Sequence, residues 1–265
     1  MKLQTTTNQI INLTKAVGKF IKSESLKFED KDVEEKGLHN LVTYVDKQAE
    51  KIIVSELSKI LPEAGFIAEE DPTLKKADRF NWIVDPLDGT TNFIHSVPFY
   101  SISIALNDGN ETIIGIVYEV SSGECFYSWK GAAAFLNKRE IKVTKQSNLN
   151  NSLIATGFPY YDYALLDQYL ELFKDLMQNS RGVRRLGSAA LDLAYVAAGR
   201  FEVFYEYGLN PWDVAAGAFI VKQAGGMVTD FNLTENYLFG KQIIASNKLT
   251  HDDFAKKLNF YFNKK

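Results

Sequence analysis

The chain has 265 residues, 46% of them hydrophobic and 24% charged, a formal net charge of −3 and one cysteine. This is the composition of a globular protein long enough to bury a substantial core. It rules out an internal disulfide, weighs against electrostatic nucleic-acid binding, and contains no apolar run near the ~20 residues that span a bilayer. The opening Met1–Thr5 lacks the apolar core of a secretory leader, so the cytoplasm is the expected compartment.

Ile10, Leu13, Val17, Phe20 and Ile21 recur at helical spacing and predict an amphipathic first helix. The charged stretch from Glu24 to Glu35 reads as an exposed, mobile loop. Thr43, with Asp46 three residues on, reads as a helix cap. Val45, Ala49, Ile52, Ile53 and Ile60 then form the apolar face of that helix. Gly65–Ala68 reads as a strand running into Glu69 and Glu70, and Trp82–Val84 as a buried strand. From Tyr100 the pattern becomes an antiparallel meander. Its strands Ser101–Leu106, Thr112–Tyr118 and Glu124–Tyr127 are parted by turns at 107–110 and 121–123. The lone Cys125 lies in this apolar context and reads as a core residue.

After about Asn148 strands and helices alternate. Leu153–Thr156 is a strand, Leu165–Met177 a helix, Ser188–Ala198 a helix rich in small residues, and Phe201–Glu206 a strand. A helix from Trp212 to Ala224 closes on Gly225 and Gly226. Met227–Asp230 and Ile243–Ala245 are strands, and His251–Phe260 is the last helix. No repeat or low-complexity linker interrupts the chain. It is expected to form one unit whose halves, 1–147 and 148–265, share an interface. Pattern reading by itself stops at a mixed α and β fold.

The chemistry concentrates at the end of the Trp82–Val84 strand. Asp85 and Asp88 flank Pro86 and Leu87, and Gly89, Thr90 and Thr91 lead into a short helix ending near His95. A carboxylate at the end of an apolar strand loses hydration at real cost unless something cationic lies nearby. No lysine or arginine occurs between Phe80 and Leu106. A metal ion fills that gap. Carboxylates, a hydroxyl and backbone carbonyls suit Mg²⁺ or Mn²⁺ rather than Zn²⁺, and the spacing is not that of an EF-hand loop. Glu69 and Asp213 stand at other element ends, although Asp213 reads equally well as an acid in the first turn of its helix. His39, His95 and His251 are scattered and read as surface or structural residues.

The segment Asp85-Pro86-Leu87-Asp88-Gly89-Thr90-Thr91-Asn92-Phe93 resembles the signature of the inositol monophosphatase family. Pro211-Trp212-Asp213-Val214-Ala215-Ala216-Gly217 resembles its second signature, and Phe66-Ile67-Ala68-Glu69-Glu70 the segment that supplies its first glutamate. Order and spacing agree from about Lys36 to Gly226. The resemblance implies an α+β fold, the layered α-β-α-β-α sugar-phosphatase sandwich. It implies two or three Mg²⁺ per site, or Mn²⁺. Glu69, Asp85 and the Leu87 carbonyl would ligate the first ion, and Asp88 and Asp213 the second, which Asp85 bridges. Thr90, hydrogen-bonded to Asp46, would orient the attacking water and help deprotonate it with Glu69. The backbone N–H groups of Gly89 and Thr90 would hold phosphate oxygens. Gly187, Ser188, Ala189 and Glu206 would contact the alcohol, as would Asp88, with Arg184 or Arg185 in reach. Asn210 stands where some members carry histidine.

The implied function is Mg²⁺-dependent hydrolysis of inositol 1-phosphate and related sugar or polyol monophosphates, with lithium as an inhibitor. Relatives that act on fructose 1,6-bisphosphate, histidinol phosphate, NADP or 3′-phosphoadenosine nucleotides supply the competing substrates. Thr91 and Asn92 resemble the inositol type. The resemblance also implies a homodimer, and some bacterial relatives associate with RNA polymerase in ribosomal RNA transcription.

Overall fold

The computed structural model describes residues 2–28, 33–37, 40–159 and 162–262, with 33–37 and 40–41 described by backbone alone. Helix α1 (Leu3–Glu24) and helix α2 (Tyr44–Ile60) pack side by side. The chain between them departs from the expected loop. Strands β1 (Val33–Gly37) and β2 (Asn40–Thr43) pair antiparallel, with Val33 opposite Thr43. A ribbon joined by backbone hydrogen bonds carries no hydropathy signal, and its charged residues hid it. Residues 29–32 of that loop, and His39, lie outside the described residues. Thr43 caps α2 as expected: its hydroxyl accepts the Val45 N–H, and Asp46 accepts the Thr43 N–H at 2.9 Å.

Seven strands follow one another in a single sheet: β3 (Gly65–Ala68), β4 (Phe80–Asp88), β5 (Ser101–Asp108), β6 (Glu111–Glu119), β7 (Cys125–Trp129), β8 (Ala134–Leu136) and β9 (Arg139–Ile141). Only the β3–β4 pair is parallel; the rest is the expected meander, extended by the β8–β9 hairpin. Between β4 and β5 comes the short helix α3 (Thr90–Ile94).

A second sheet of five strands has the order β11 (Gly182–Arg184), β10 (Leu153–Thr156), β12 (Val203–Tyr207), β14 (Gln242–Ser246), β13 (Met227–Thr229). Helices α4 (Leu166–Asn179) and α7 (His251–Phe262) cover its outer face. Helices α5 (Ala189–Ala197) and α6 (Pro211–Gln223) lie between the two sheets.

Alternation along β4 explains the layering, because successive strand residues face opposite sides. Trp82 and Val84 join Ile10, Val17, Ala49 and Ile53 in the core beneath α1 and α2. Ile83 joins Ala190, Leu193, Ala216 and Ile220 in the core around α5 and α6, which also receives Phe204 and Ile243 from the second sheet. Tyr169, Leu172, Tyr205, Ile244 and Phe254 form the third core. The result is the α-β-α-β-α sandwich of an α+β protein. Cys125 is buried in the first core, where burial pushes its thiol up to about 12 and makes it inert. No helix among the described residues is long and apolar enough to cross a membrane.

Candidate active site

In a regular strand, residues three apart face opposite sides. Asp85 pairs with Ser103 and Asp88 with Ser101, so three steps on β4 oppose two on β5. That extra residue is a bulge, and it brings both carboxylates to the face that looks toward α5 and α6. On the same face Ser103 donates to the Trp212 carbonyl at 3.1 Å. Leu87 points the other way, into the α1–α2 core. Its N–H donates to Asp85 Oδ1 at 2.9 Å and fixes the turn. Gly89 follows with φ of 98°, a left-handed conformation open to glycine, and starts α3.

Asp88 reaches across to α5. Its Oδ2 accepts from Ser188 Oγ at 2.6 Å and from the Ala190 N–H at 2.8 Å. Asn92 ties the same loop down, its amide donating to the Leu186 carbonyl at 2.8 Å and the Phe99 carbonyl at 2.7 Å. Asp213 stands at the start of α6 and accepts the Asn210 N–H at 2.6 Å. Thr90 Oγ1 donates to Asp46 Oδ1 at 3.0 Å, the contact expected from the sequence, with the Leu87 carbonyl as a second acceptor at 3.1 Å.

One cavity gathers Glu69, Asp85, Leu87, Asp88, Gly89, Thr90, Gly187, Ser188, Ala189, Glu206 and Asp213. Asp46 lies behind its wall and is reached through Thr90. Arg184 does not line it: the side chain is exposed and bonds the Val183 carbonyl at 3.0 Å. Its neighbour Arg185 lines the cavity instead, as strand alternation leaving β11 requires. Arg185 is the one basic side chain among the described residues that do so. His95 is exposed beside α3, and His251 is buried between Thr229 and Ser246, so neither joins the site. Asp192 is a cavity residue that the sequence reading passes over. Its only signal there is a lone acid in the otherwise uncharged helix α5.

The carboxylates crowd one another. Burial, then the Asp213 charge, raises Glu69 well above the usual carboxylate range; burial, then Glu69, does the same to Asp85. Burial pushes Asp213 up to about 7, helped by Asp88, and Asp88 itself to about 6 despite the Ser188 and Ala190 donors. Asp46 is pushed to about 6 by burial, against the Thr43 hydrogen bond. Among the described residues no three His, Cys, Asp or Glu side chains are drawn into a closed metal cage. The donor set is nonetheless all hard oxygen, with mutual repulsion that a divalent cation relieves. It therefore fits Mg²⁺ or a similar ion.

Such a layered sandwich is shared with a family of phosphatases. The chain belongs to the inositol monophosphatase family, whose model matches residues 2–262. It is 42% identical over 229 residues, 86% of each chain, to the fructose-1,6-bisphosphatase/inositol-1-monophosphatase of Thermotoga maritima. It is 38% identical over 250 residues, 92% of each, to the Nus factor SuhB of Pseudomonas aeruginosa. The crystal structure of the extragenic suppressor protein suhB from Bartonella henselae superposes with a TM-score of 0.90 at 38% identity, covering 95% of this chain and 97% of that one.

Proposed function

We propose that the protein is a Mg²⁺-dependent phosphomonoesterase that hydrolyses inositol 1-phosphate and related sugar or polyol monophosphates. The observation that carries this reading is the cavity wall of Glu69, Asp85, Asp88 and Asp213 beside the Thr90–Asp46 pair. Glu69, Asp85, Asp88, Asp213 and the Leu87 carbonyl are the residues that would hold the ions. Bound divalent cations supply neutralisation of the phosphate and a more acidic water. Thr90, whose hydroxyl donates its hydrogen bond to Asp46, keeps lone pairs that can accept a hydrogen bond from the attacking water. Glu69 is the second acceptor for that water. Gly89 and Thr90 stand at the start of α3, where backbone N–H groups lack intrahelical partners and are free to meet phosphate oxygens. Gly187, Ser188, Ala189 and Glu206 meet the alcohol.

The test is an assay of purified protein with Mg²⁺ against inositol 1-phosphate, fructose 1,6-bisphosphate, histidinol phosphate, NADP and 3′-phosphoadenosine nucleotides. Inositol 1-phosphate is expected to have the highest kcat/KM, with inhibition by lithium. A large preference for a nucleotide or bisphosphate would sink the inositol assignment. Asp85→Asn is expected to abolish Mg²⁺-dependent turnover while circular dichroism stays native; near-normal kcat would refute the ligand role.

The reading takes the protein as a cytoplasmic homodimer; its halves 1–147 and 148–265 are taken as one unit, and that last point is supported by the α5–α6 core that both sheets share. A second role is favoured by the Nus factor name of a 38% identical relative: association with RNA polymerase during ribosomal RNA transcription. A catalytically dead Asp88→Asn variant that pulls down polymerase and rescues a deletion strain would establish that role. Failure to do either would remove it.

A further inference from the structure

Glu50 is 3% exposed on α2, one turn beyond Asp46, and is not among the residues that line the cavity. Its buried neighbours on the helix, Val45, Ala49, Ile53 and Leu57, pack into the apolar core. A carboxylate in that setting loses hydration that an apolar side chain would not. What it holds accounts for its presence. Glu50 Oε2 accepts the Glu70 N–H at 2.8 Å, across 20 residues of chain. Glu69, the residue before, stands where the sheet stops holding the backbone. β3 is an edge strand paired with β4 alone, and the last pair is Ala68 with Val84. Glu70 is half-buried, so water could meet its N–H; Glu50 gives it one fixed partner instead. That N–H belongs to the planar peptide unit between Glu69 and Glu70, so holding it orients the backbone that carries the Glu69 side chain.

Residues four apart on a helix share a face, about 6 Å apart along its axis. From that one face of α2, Asp46 receives the Thr90 hydroxyl at 3.0 Å and Glu50 the Glu70 N–H. Thr90 and Glu69 are the two groups that meet the attacking water in the phosphatase reading. We propose that Glu50 is a positioning residue for that water: it ties Glu69 to the same helix that holds Thr90, so that α2 sets the spacing between the two acceptors. The inference rests on the phosphatase reading above and deepens it. Glu50 touches no reacting atom and acts through the Glu69 backbone. What it supplies is an acceptor oxygen at the right reach, which an amide oxygen of the same length also offers.

Two variants separate reach from charge. Glu50→Gln keeps the length and an acceptor oxygen without the charge; Glu50→Asp keeps the charge and is one methylene short. Each is compared with wild type by circular dichroism, by calorimetric titration with Mg²⁺ in the absence of substrate, and by hydrolysis of inositol 1-phosphate at saturating Mg²⁺. Glu50→Asp is expected to bind Mg²⁺ about tenfold more weakly and to lose about tenfold in kcat with KM little changed, the low end for losing a partner that orients a metal ligand. Glu50→Gln is expected to stay within about threefold of wild type in both, since a neutral acceptor makes the same bond more weakly. A folded Glu50→Asp with native Mg²⁺ affinity and kcat, the result a purely structural contact would give, would overturn the inference. So would a Glu50→Gln that loses as much as Glu50→Asp, which would make the role one of charge. Either result leaves the phosphatase reading standing. A wild type that hydrolyses no phosphate ester would remove that reading and the inference with it.

Discussion

Asp213 accepts the Asn210 N–H at the start of α6 and also lines the cavity. Asp46 does the same for α2, accepting the Thr43 N–H while receiving the Thr90 hydroxyl. In each case a helix cap orients a cavity group, so the structural and chemical readings of one side chain coincide. Thr90→Val keeps the shape and removes the hydroxyl. Its kcat is expected to fall about a hundredfold, the lower range for losing a positioned proton acceptor, with a smaller change in KM; a pure KM effect would disprove the role given to Thr90. His251 makes a different prediction. Its ring lies between Thr229 Oγ1 at 3.0 Å and Ser246 Oγ at 2.9 Å, and burial holds its pKa below the ordinary value. The folded state therefore favours the neutral ring. The stability this contributes is complete above the unfolded pKa of about 6.5 and is lost as pH falls through it toward the folded value. Between pH 7.5 and 5.5 the melting temperature of wild type is expected to drop further than that of His251→Gln; parallel slopes would clear His251 of any part. The acids of the motif were legible because they are contiguous or stand at element ends. Asp192, and which of Arg184 and Arg185 enters the cavity, were not, since both depend on which way a side chain leaves its helix or strand.

The long elements announced themselves through periodicity, and β3 and β10 have the bounds that hydropathy gives. What escaped was short or polar: the β1–β2 ribbon, the three-residue strands β8, β9 and β11, and the bulge in β4. Each is held by backbone pairing or by register, neither of which a hydropathy pattern encodes. Packing also accounts for a motif residue that chemistry does not. A Cβ on Gly217, in the middle of α6, would stand 2.5 Å from Leu193 Cβ on α5. The glycine of the second signature thus lets the two central helices close on each other. Gly217→Ala is expected to cost about 1–3 kcal/mol, the range for overpacking a tight core, read as a lower midpoint in urea at unchanged slope. Stability equal to wild type would mean the crossing has slack.

At the scale of the molecule, the cavity lies where the middle helices meet the end of β4, and its charge is unbalanced. Mg²⁺ bound to the folded form alone adds stability by mass action, about 2.7 kcal/mol at a hundred times Kd. The melting temperature should rise by roughly 5–10 °C for a chain of this size and return to baseline with EDTA. Asp85→Asn should lose that response; an undiminished rise would place the ion elsewhere. The middle layer has one more consequence. Glu69, Asp85 and Asp88 come from the first half of the chain, while Asp213, Glu206 and the α5 N–H that holds Asp88 come from the second. Neither half carries a working fragment of the site. Such a cavity cannot be inherited or transplanted piecemeal: a recombination that exchanges one half must bring a partner that restores the same seam, or the acids that line it are separated together with the layers that carry them.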